Sequence, residues 1–385
     1  WALALGCKED SILLPAYTLA VELTLLRFAA ADTAIAWRLR HVYFAATLAG
    51  VAVYFFYIVP HHWSWESYAV RDFSTPERLL TQSRVLCMYL WQIVLPLPQH
   101  MPFYYDWLQP SRGLLHPWTT LPSIVLLSGL LAAAWWQRKR APLFSLGVLV
   151  FFSAHALTSN VIGLELVFEH RNHFALIGAV LAIGSALAGI ARRWSLRPAV
   201  QATICGALLI VMPGATMTRA YDWRSNLTLA QASAEAAPTS ARAWFQVCVS
   251  YFQMGGGPLY GNTHLDEAIA ACQSGARLAP GALNNPGLLI VLKALKGDDA
   301  SREWAQFQQR LGTVRMTWEN RRAPMIFMEN MQNGVKLDKQ QVLASLATIR
   351  RRTDLGMYDL AAMGYFVMND LSEPEIAQAL KELAA

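Results

Sequence analysis

The chain has 385 residues, of which 55% are hydrophobic and only 15% charged, with a mean hydropathy of +0.28. That profile is too apolar and too poor in charge for an ordinary water-soluble domain, so lipid is the expected solvent for much of it. The net charge of +6 does not point to nucleic acid, because the basic residues fall in short clusters between apolar runs, as membrane-flanking loops do.

The chain opens on Trp1 inside an apolar stretch, without an initiator methionine, a basic leader region or a cleavage site, and reads as a piece whose natural N-terminus lies upstream. Stretches of about 20 residues, the length that crosses a hydrocarbon core, are predicted at 11–28, 42–59, 115–136, 143–162, 174–190 and 199–217, making six spans. A further stretch, 84–97, is only about 14 residues long, carries Gln92 and ends in Pro96 and Pro98, which suits an interfacial or re-entrant helix.

Arg138-Lys139-Arg140, Arg192-Arg193 with Arg197, and Arg38 with Arg40 are the basic clusters expected on the cytoplasmic side. Parity then puts Lys8-Glu9-Asp10, the segments 61–116 and 163–173, and everything after Met217 on the other face, provided 84–97 does not cross. The expectation is a multi-pass protein of a bacterial inner membrane with a periplasmic C-terminal domain.

From Tyr221 onward the pattern becomes Ala-rich amphipathic helix. Trp244, Val247, Cys248 and Tyr251, then Ala268, Cys272, Gly275, Ala276, Leu278 and Pro280, follow the two-helix spacing of a tetratricopeptide (TPR) repeat. One repeat cannot bury its own apolar face, so stacked helix pairs are expected. The fold class predicted is all-α: a polytopic transmembrane helical bundle over 1–219, followed by a soluble TPR-like α-solenoid over 220–385. The five cysteines, Cys7, Cys87, Cys205, Cys248 and Cys272, form no CxxC pair, which argues against structural zinc. Cys248 and Cys272 fall on the two helices of the repeat, and a periplasmic location permits them to pair.

Several polar clusters carry candidate chemistry. Glu165, Glu169, His170, Arg171, Asn172 and His173, preceded by His155 and Asn160, crowd ionisable groups against the mouths of two spans, where unpaired charge is costly. They make either a functional site or a solvated turn whose charges pair with one another. Lys8-Glu9-Asp10 opens a helix, where acids suit the helix dipole; alternatively Lys8 contacts a phosphate and an acid contacts a metal or sugar. Arg71, Arg78 and Arg84 are either phosphate-binding forks or snorkelling headgroup contacts. His61-His62 with Trp63 and Trp65 resembles an interfacial aromatic belt, Asp106 in Tyr104-Tyr105-Asp106 is a candidate substrate-facing acid, and Glu22 reads as an acid near the cytoplasmic end of its span. No nucleotide-binding loop, dinucleotide fingerprint, nucleophile elbow or HExxH helix is present.

The residues 6–10 with Leu13-Leu14-Pro15, the stretch 71–84 continuing to Tyr89-Leu90, 164–172, and Trp223 with Ser240-Ala241-Arg242-Ala243 resemble bacterial polytopic membrane proteins with C-terminal TPR repeats. These are similar to GT-C glycosyltransferases and, more distantly, to the transmembrane-and-TPR O-mannosyltransferases. The resemblance implies sugar transfer from a polyprenyl-phosphate donor to a periplasmic protein or glycan acceptor, the acceptor gathered by the repeat domain. It implies Lys8, Arg84 and Arg171 as contacts of the lipid phosphate, Glu9, Asp10 and Glu169 as candidate acids, and His170 as a relay; a divalent metal is left open. In such proteins the principal catalytic acid lies in the first extracytoplasmic loop. This sequence shows no such loop, so the chain alone is expected to be inactive. His173-Phe174-Ala175 departs from the Tyr-Leu-Pro of related sequences.

The alternative is a non-enzymatic, membrane-anchored TPR scaffold for envelope or pilus assembly. A transporter would want charges at mid-membrane, and apart from Glu22 these spans offer none.

Overall fold

The computed structural model describes residues 2–68, 71–372 and 375, whose regular elements are helices joined by loops, with no strand among the described residues. The chain divides into two compact units, Trp1–Met101 with Gln109–Thr218, and Pro102–Leu108 with Arg219–Ala385.

The first unit opens with α1 (Ala2–Cys7), a 3-10 turn Glu9–Leu13, α2 (Leu14–Val21) and a π turn Glu22–Leu26. There follow α3 (Thr33–Val53), continuing through a π turn Tyr54–Ile58 into α4 (Val59–His62), then α5 (Thr75–Val94), α6 (Thr120–Gln137), α7 (Pro142–His155), α8 (Asn172–Arg193) and α9 (Pro198–Asp222). Among the described residues four helices are long and apolar enough to cross a membrane: Thr33–His62, Thr120–Gln137, Glu169–Arg193 and Pro198–Asp222. Their apolar residues face outward, with at most 22% of any 18-residue apolar window buried, a pattern that makes sense only in an apolar surrounding.

The other two predicted spans are shorter. The stretch 11–28 is interrupted by its 3-10 and π turns and ends where Arg27 and Phe28 both take left-handed backbone, φ 57°. Glu22 makes this stop: its carbonyl accepts from the Arg27 N–H at 2.7 Å and its carboxylate from the Phe28 N–H at 2.9 Å. The stretch 143–162 becomes α7, which has 14 residues and stops at His155. The short stretch 84–97 is the latter part of α5, a 20-residue amphipathic helix with Arg78, Thr81, Gln82 and Gln92 buried.

Helices α7 and α8 cross at Gly147 and Gly178. A Cβ on Gly147 would collide with the backbone of Gly178 and Ala182, and one on Gly178 with the Gly147 carbonyl. Small residues here let two backbones touch, the usual means of association between apolar helices.

The second unit comprises α10 (Asn226–Ala236), α11 (Ala241–Met254), α12 (Leu265–Leu278), α13 (Asn284–Lys296), α14 (Ser301–Thr313), α15 (Trp318–Arg322), α16 (Met325–Gln332), α17 (Lys339–Arg352) and α18 (Met357–Asp370). Ser225, Ser240, Thr317 and Asp338 cap helices through side-chain acceptors, and Gly297 takes the left-handed residue after α13, φ 84°. Here apolar residues face inward: Val247, Leu292, Phe307, Phe327, Leu346 and Phe366 belong to one continuous core. Cys248 and Cys272 form a disulfide between α11 and α12, with Cα atoms 5.3 Å apart, as the sequence predicts. The segment 102–108 belongs to this unit, with Tyr104 packed against its core.

Candidate functional site: a loop held by its carbonyls

The construction of the first unit's polar centre starts at Ser74. Its hydroxyl and the Glu77 carboxylate form a capping box, and Pro76 sits in the first turn, so α5 begins here. The helical period then brings Thr75, Arg78, Gln82 and Tyr89 onto one face. That face lies against the loop joining α7 to α8, residues 156–171.

Arg78 is fully buried. Its Nε donates to the Asn160 carbonyl at 2.9 Å, one terminal nitrogen to the Thr158 carbonyl at 2.6 Å, and the other to the Leu164 carbonyl. One planar fork thus closes a turn of the loop from three sides. Burial, with the Arg171 guanidinium beside it, pulls the Arg78 pKa down to about 10, so the side chain stays charged at neutral pH and is solvated by carbonyl dipoles. One turn on, Gln82 donates to the Leu166 carbonyl at 3.0 Å. Tyr89 donates to the Phe168 carbonyl at 2.9 Å and accepts from the Phe168 N–H at 3.0 Å. Before α5, the Tyr68 hydroxyl donates to the Val161 carbonyl.

Around this frame sit further charges. Arg171, in the 3-10 turn Glu169–Arg171 that leads into α8, donates to the Glu165 carbonyl at 2.5 Å and lies 5.1 Å from the Phe168 ring. Arg71 approaches the Glu165 carboxylate at 4.0 Å. The Arg71 and Arg171 guanidiniums lie near enough to Arg78 to raise its cost of charging, and Glu165 is an acid among them. His155 is buried with its ring stacked on Tyr89 at 5.2 Å and edge-on to Phe151.

No family model, curated protein or solved structure matches this chain.

The residues singled out from sequence distribute as follows. Glu165, Arg171 and Arg71 come together around the loop. Glu169 lies in the same turn, and the exposed His170 leans its ring on Phe168 at 5.1 Å. Glu9 and Asp10 lie in an exposed 3-10 turn, where Asp10 pairs with Lys8 at 3.0 Å. Arg84 donates to the Gln109 carbonyl at 2.8 Å and the Ser111 hydroxyl at 3.3 Å, so its contacts tie α5 to the segment before α6. Asp106 is held in the second unit by Arg242 and Ser240. Among the described residues no group of three His, Cys, Asp or Glu side chains is arranged to hold a metal ion.

Sequence reasoning missed the structural role of Arg78 and passed over Gln82 and Tyr68. The available signal was spacing: polar residues at 75, 78, 82 and 89 share one helical face within an otherwise apolar segment, which marks a buried polar seam.

Proposed function

We propose that this chain is a membrane glycosyltransferase of the GT-C kind, moving a sugar from a polyprenyl-phosphate donor to a protein or glycan acceptor on the periplasmic face. The observation that carries the reading is the loop 156–171 at the end of the packed helices α7 and α8, where Arg171 of the loop and Arg71 and Arg78 from outside it cluster about Glu165. A surplus of fixed positive charge at the end of apolar helices fits a lipid-borne phosphate. In the transfer, the acceptor oxygen forms its bond to the sugar's anomeric carbon while the bond from that carbon to phosphate breaks. The acceptor proton passes to a carboxylate, for which Glu169, Glu9 and Asp10 are the candidates, with His170 as relay. The departing polyprenyl phosphate is neutralised by Arg171, with Lys8 and Arg84 as further candidates. Arg78, whose fork is filled by carbonyls, holds the frame and does not touch the donor.

Two features support a periplasmic second unit: its Cys248–Cys272 disulfide, which an oxidising compartment permits, and its inclusion of 102–108, a segment of the loop between α5 and α6. We read its stacked helices as TPR-like repeats that present the acceptor.

The test is transfer of radiolabelled sugar from a polyprenyl-phosphate donor by the full-length protein in proteoliposomes, with membrane extract as acceptor. Arg171→Gln is expected to raise the donor KM at least tenfold and Glu169→Gln to lower kcat. Absence of both transfer and donor hydrolysis, together with an unchanged envelope glycan profile in a deletion strain, overturns the proposal.

A second reading, a membrane-anchored scaffold, draws on the tight Asp106–Arg242 attachment of 102–108 to the repeat unit. It predicts that Arg171→Gln leaves every cellular phenotype of the gene unchanged while loss of Asp106 does not.

A further inference from the structure

The α3–α4 helix, like α9, is barely packed by protein. It runs 30 residues, and none of its most apolar window is buried. Between it and α2 lies an open cleft of about 690 Å³ with apolar walls that include Leu19, Leu23, Phe44 and Trp135. Two of its lining residues, Phe28 and Tyr43, meet with ring centroids 5.8 Å apart. Water would gain nothing in such a space, since its walls present almost no hydrogen-bonding groups, and a void left unfilled between helices forfeits contact on both walls.

The charges near the cleft come from the first turns of α3 and from the residues just after α2 and α6. Arg40 and His41 line it. Arg27, next to Phe28, donates to the Lys139 carbonyl at 3.1 Å. Arg138 lies 4.0 Å from the ring of Trp135, another wall residue. Of the acids here, Glu22 is used in capping the turn at Phe28 and Asp32 in capping α3. Three guanidiniums, those of Arg40, Arg27 and Arg138, therefore gather at this part of an apolar trough, and both acids are engaged by backbone N–H groups. Complementarity is with one shape of molecule: an acyl chain with an anionic head at one end only. Thr47, farther along α3, lies among the acyl-length walls.

We propose that this cleft binds an anionic glycerophospholipid of the surrounding bilayer, with its phosphate at Arg40 and the Arg27–Lys139 corner and an acyl chain between α2 and α3. The bound chain completes the packing of α3, which protein side chains leave open. The site is distinct from the loop 156–171, and the proposal stands whether or not the protein transfers sugar.

The test places the full chain in nanodiscs of equimolar phosphatidylglycerol and phosphatidylcholine, releases it into the gas phase, and weighs the lipid that stays bound. Wild type is expected to retain phosphatidylglycerol at least fivefold over phosphatidylcholine. Arg40→Gln, a change at an exposed side chain, is expected to lower that preference toward unity. Thr47→Trp, which fills the trough without altering charge, is expected to reduce retention of both lipids. Equal retention of the two lipids by wild type overturns the proposal, as does a preference unchanged by Arg40→Gln or retention unchanged by Thr47→Trp in correctly folded protein.

Discussion

Asp106 receives the guanidinium of Arg242 in a two-pronged contact, one prong from Nε at 2.7 Å, across 136 residues of sequence. Its other oxygen accepts from the Ser240 hydroxyl at 2.6 Å, and Ser240 in turn caps α11 by accepting from the Ala243 N–H at 3.1 Å. Arg242 also lies 4.6 Å from the Tyr104 ring. The carboxylate singled out as a substrate-facing acid is thus a structural anchor for its own segment. Asp106→Asn keeps the shape but removes the charge, so it is expected to cost the second unit about 2 kcal/mol. Faster limited proteolysis at 102–108 is the measurement; an unchanged cleavage rate refutes the anchor.

Arg78→Lys preserves charge yet offers a single ammonium in place of a fork. It cannot reach three carbonyls in different directions, and the expected loss is about 3 kcal/mol, with Arg78→Leu somewhat worse because every carbonyl is orphaned. Hydrogen exchange over 156–171 should accelerate in both variants; protection equal to wild type would show that the loop holds itself.

Glu77 gives a dependence on pH. Burial pushes its carboxyl up, but the Arg112 guanidinium at 2.7 Å and the Ser74 N–H and hydroxyl outweigh this and hold it below the ordinary value of 4.5. A depressed folded pKa means stabilisation that is complete above the unfolded value and lost as pH falls through the folded one. The difference in thermal midpoint between wild type and Glu77→Gln should be widest near neutrality and shrink as the pH falls below the ordinary carboxyl value of 4.5. A difference that grows on acidification contradicts the assignment.

Gly147→Ala forces a methyl into the crossing of α7 and α8, where the neighbours are backbone atoms that cannot rotate away. An overpacking cost of about 1–3 kcal/mol is expected, read as a lower midpoint in detergent. Gly129→Ala in α6, where a Cβ meets nothing within 4 Å, is the control and should be neutral or slightly stabilising.

Replacing both Cys248 and Cys272 by serine opens a loop of 24 residues' separation and should destabilise the second unit by about 3 kcal/mol through the unfolded chain's regained freedom. Reductant should lower the wild-type midpoint and leave the variant's unmoved. A wild-type midpoint insensitive to reductant would argue against the staple.

What the sequence made legible followed from periodicity and composition. Apolar length located the four helices that, among the described residues, are long and apolar enough to cross a membrane, and the helical pattern placed Cys248 and Cys272 on neighbouring helices, where they bond. Where the reading overshot, a specific interaction intervened. Glu22 stops the run after α2 by capping a left-handed turn, and hydropathy does not register capping. The segment after His155 is as apolar as a span, but α5 claims its carbonyls through Arg78, Gln82 and Tyr89. Arg78 looked like a fork for phosphate because arginine chemistry is the same whether its acceptor is an anion or three main-chain oxygens; only the fold tells them apart. Lys8 and Asp10, two positions apart in sequence, satisfy each other in the open.

The partners Arg78, Gln82 and Tyr89 find in the loop are all main-chain atoms, and this sets what the loop can tolerate. Every residue type supplies the same carbonyl, so positions such as Ser159, Ile162 and Leu164 can change identity without loosening the frame, provided their backbone angles are kept. The scaffold lies in one helix and the variable surface in another stretch of chain. Such a division lets a lineage alter what the loop presents while inheriting its shape intact.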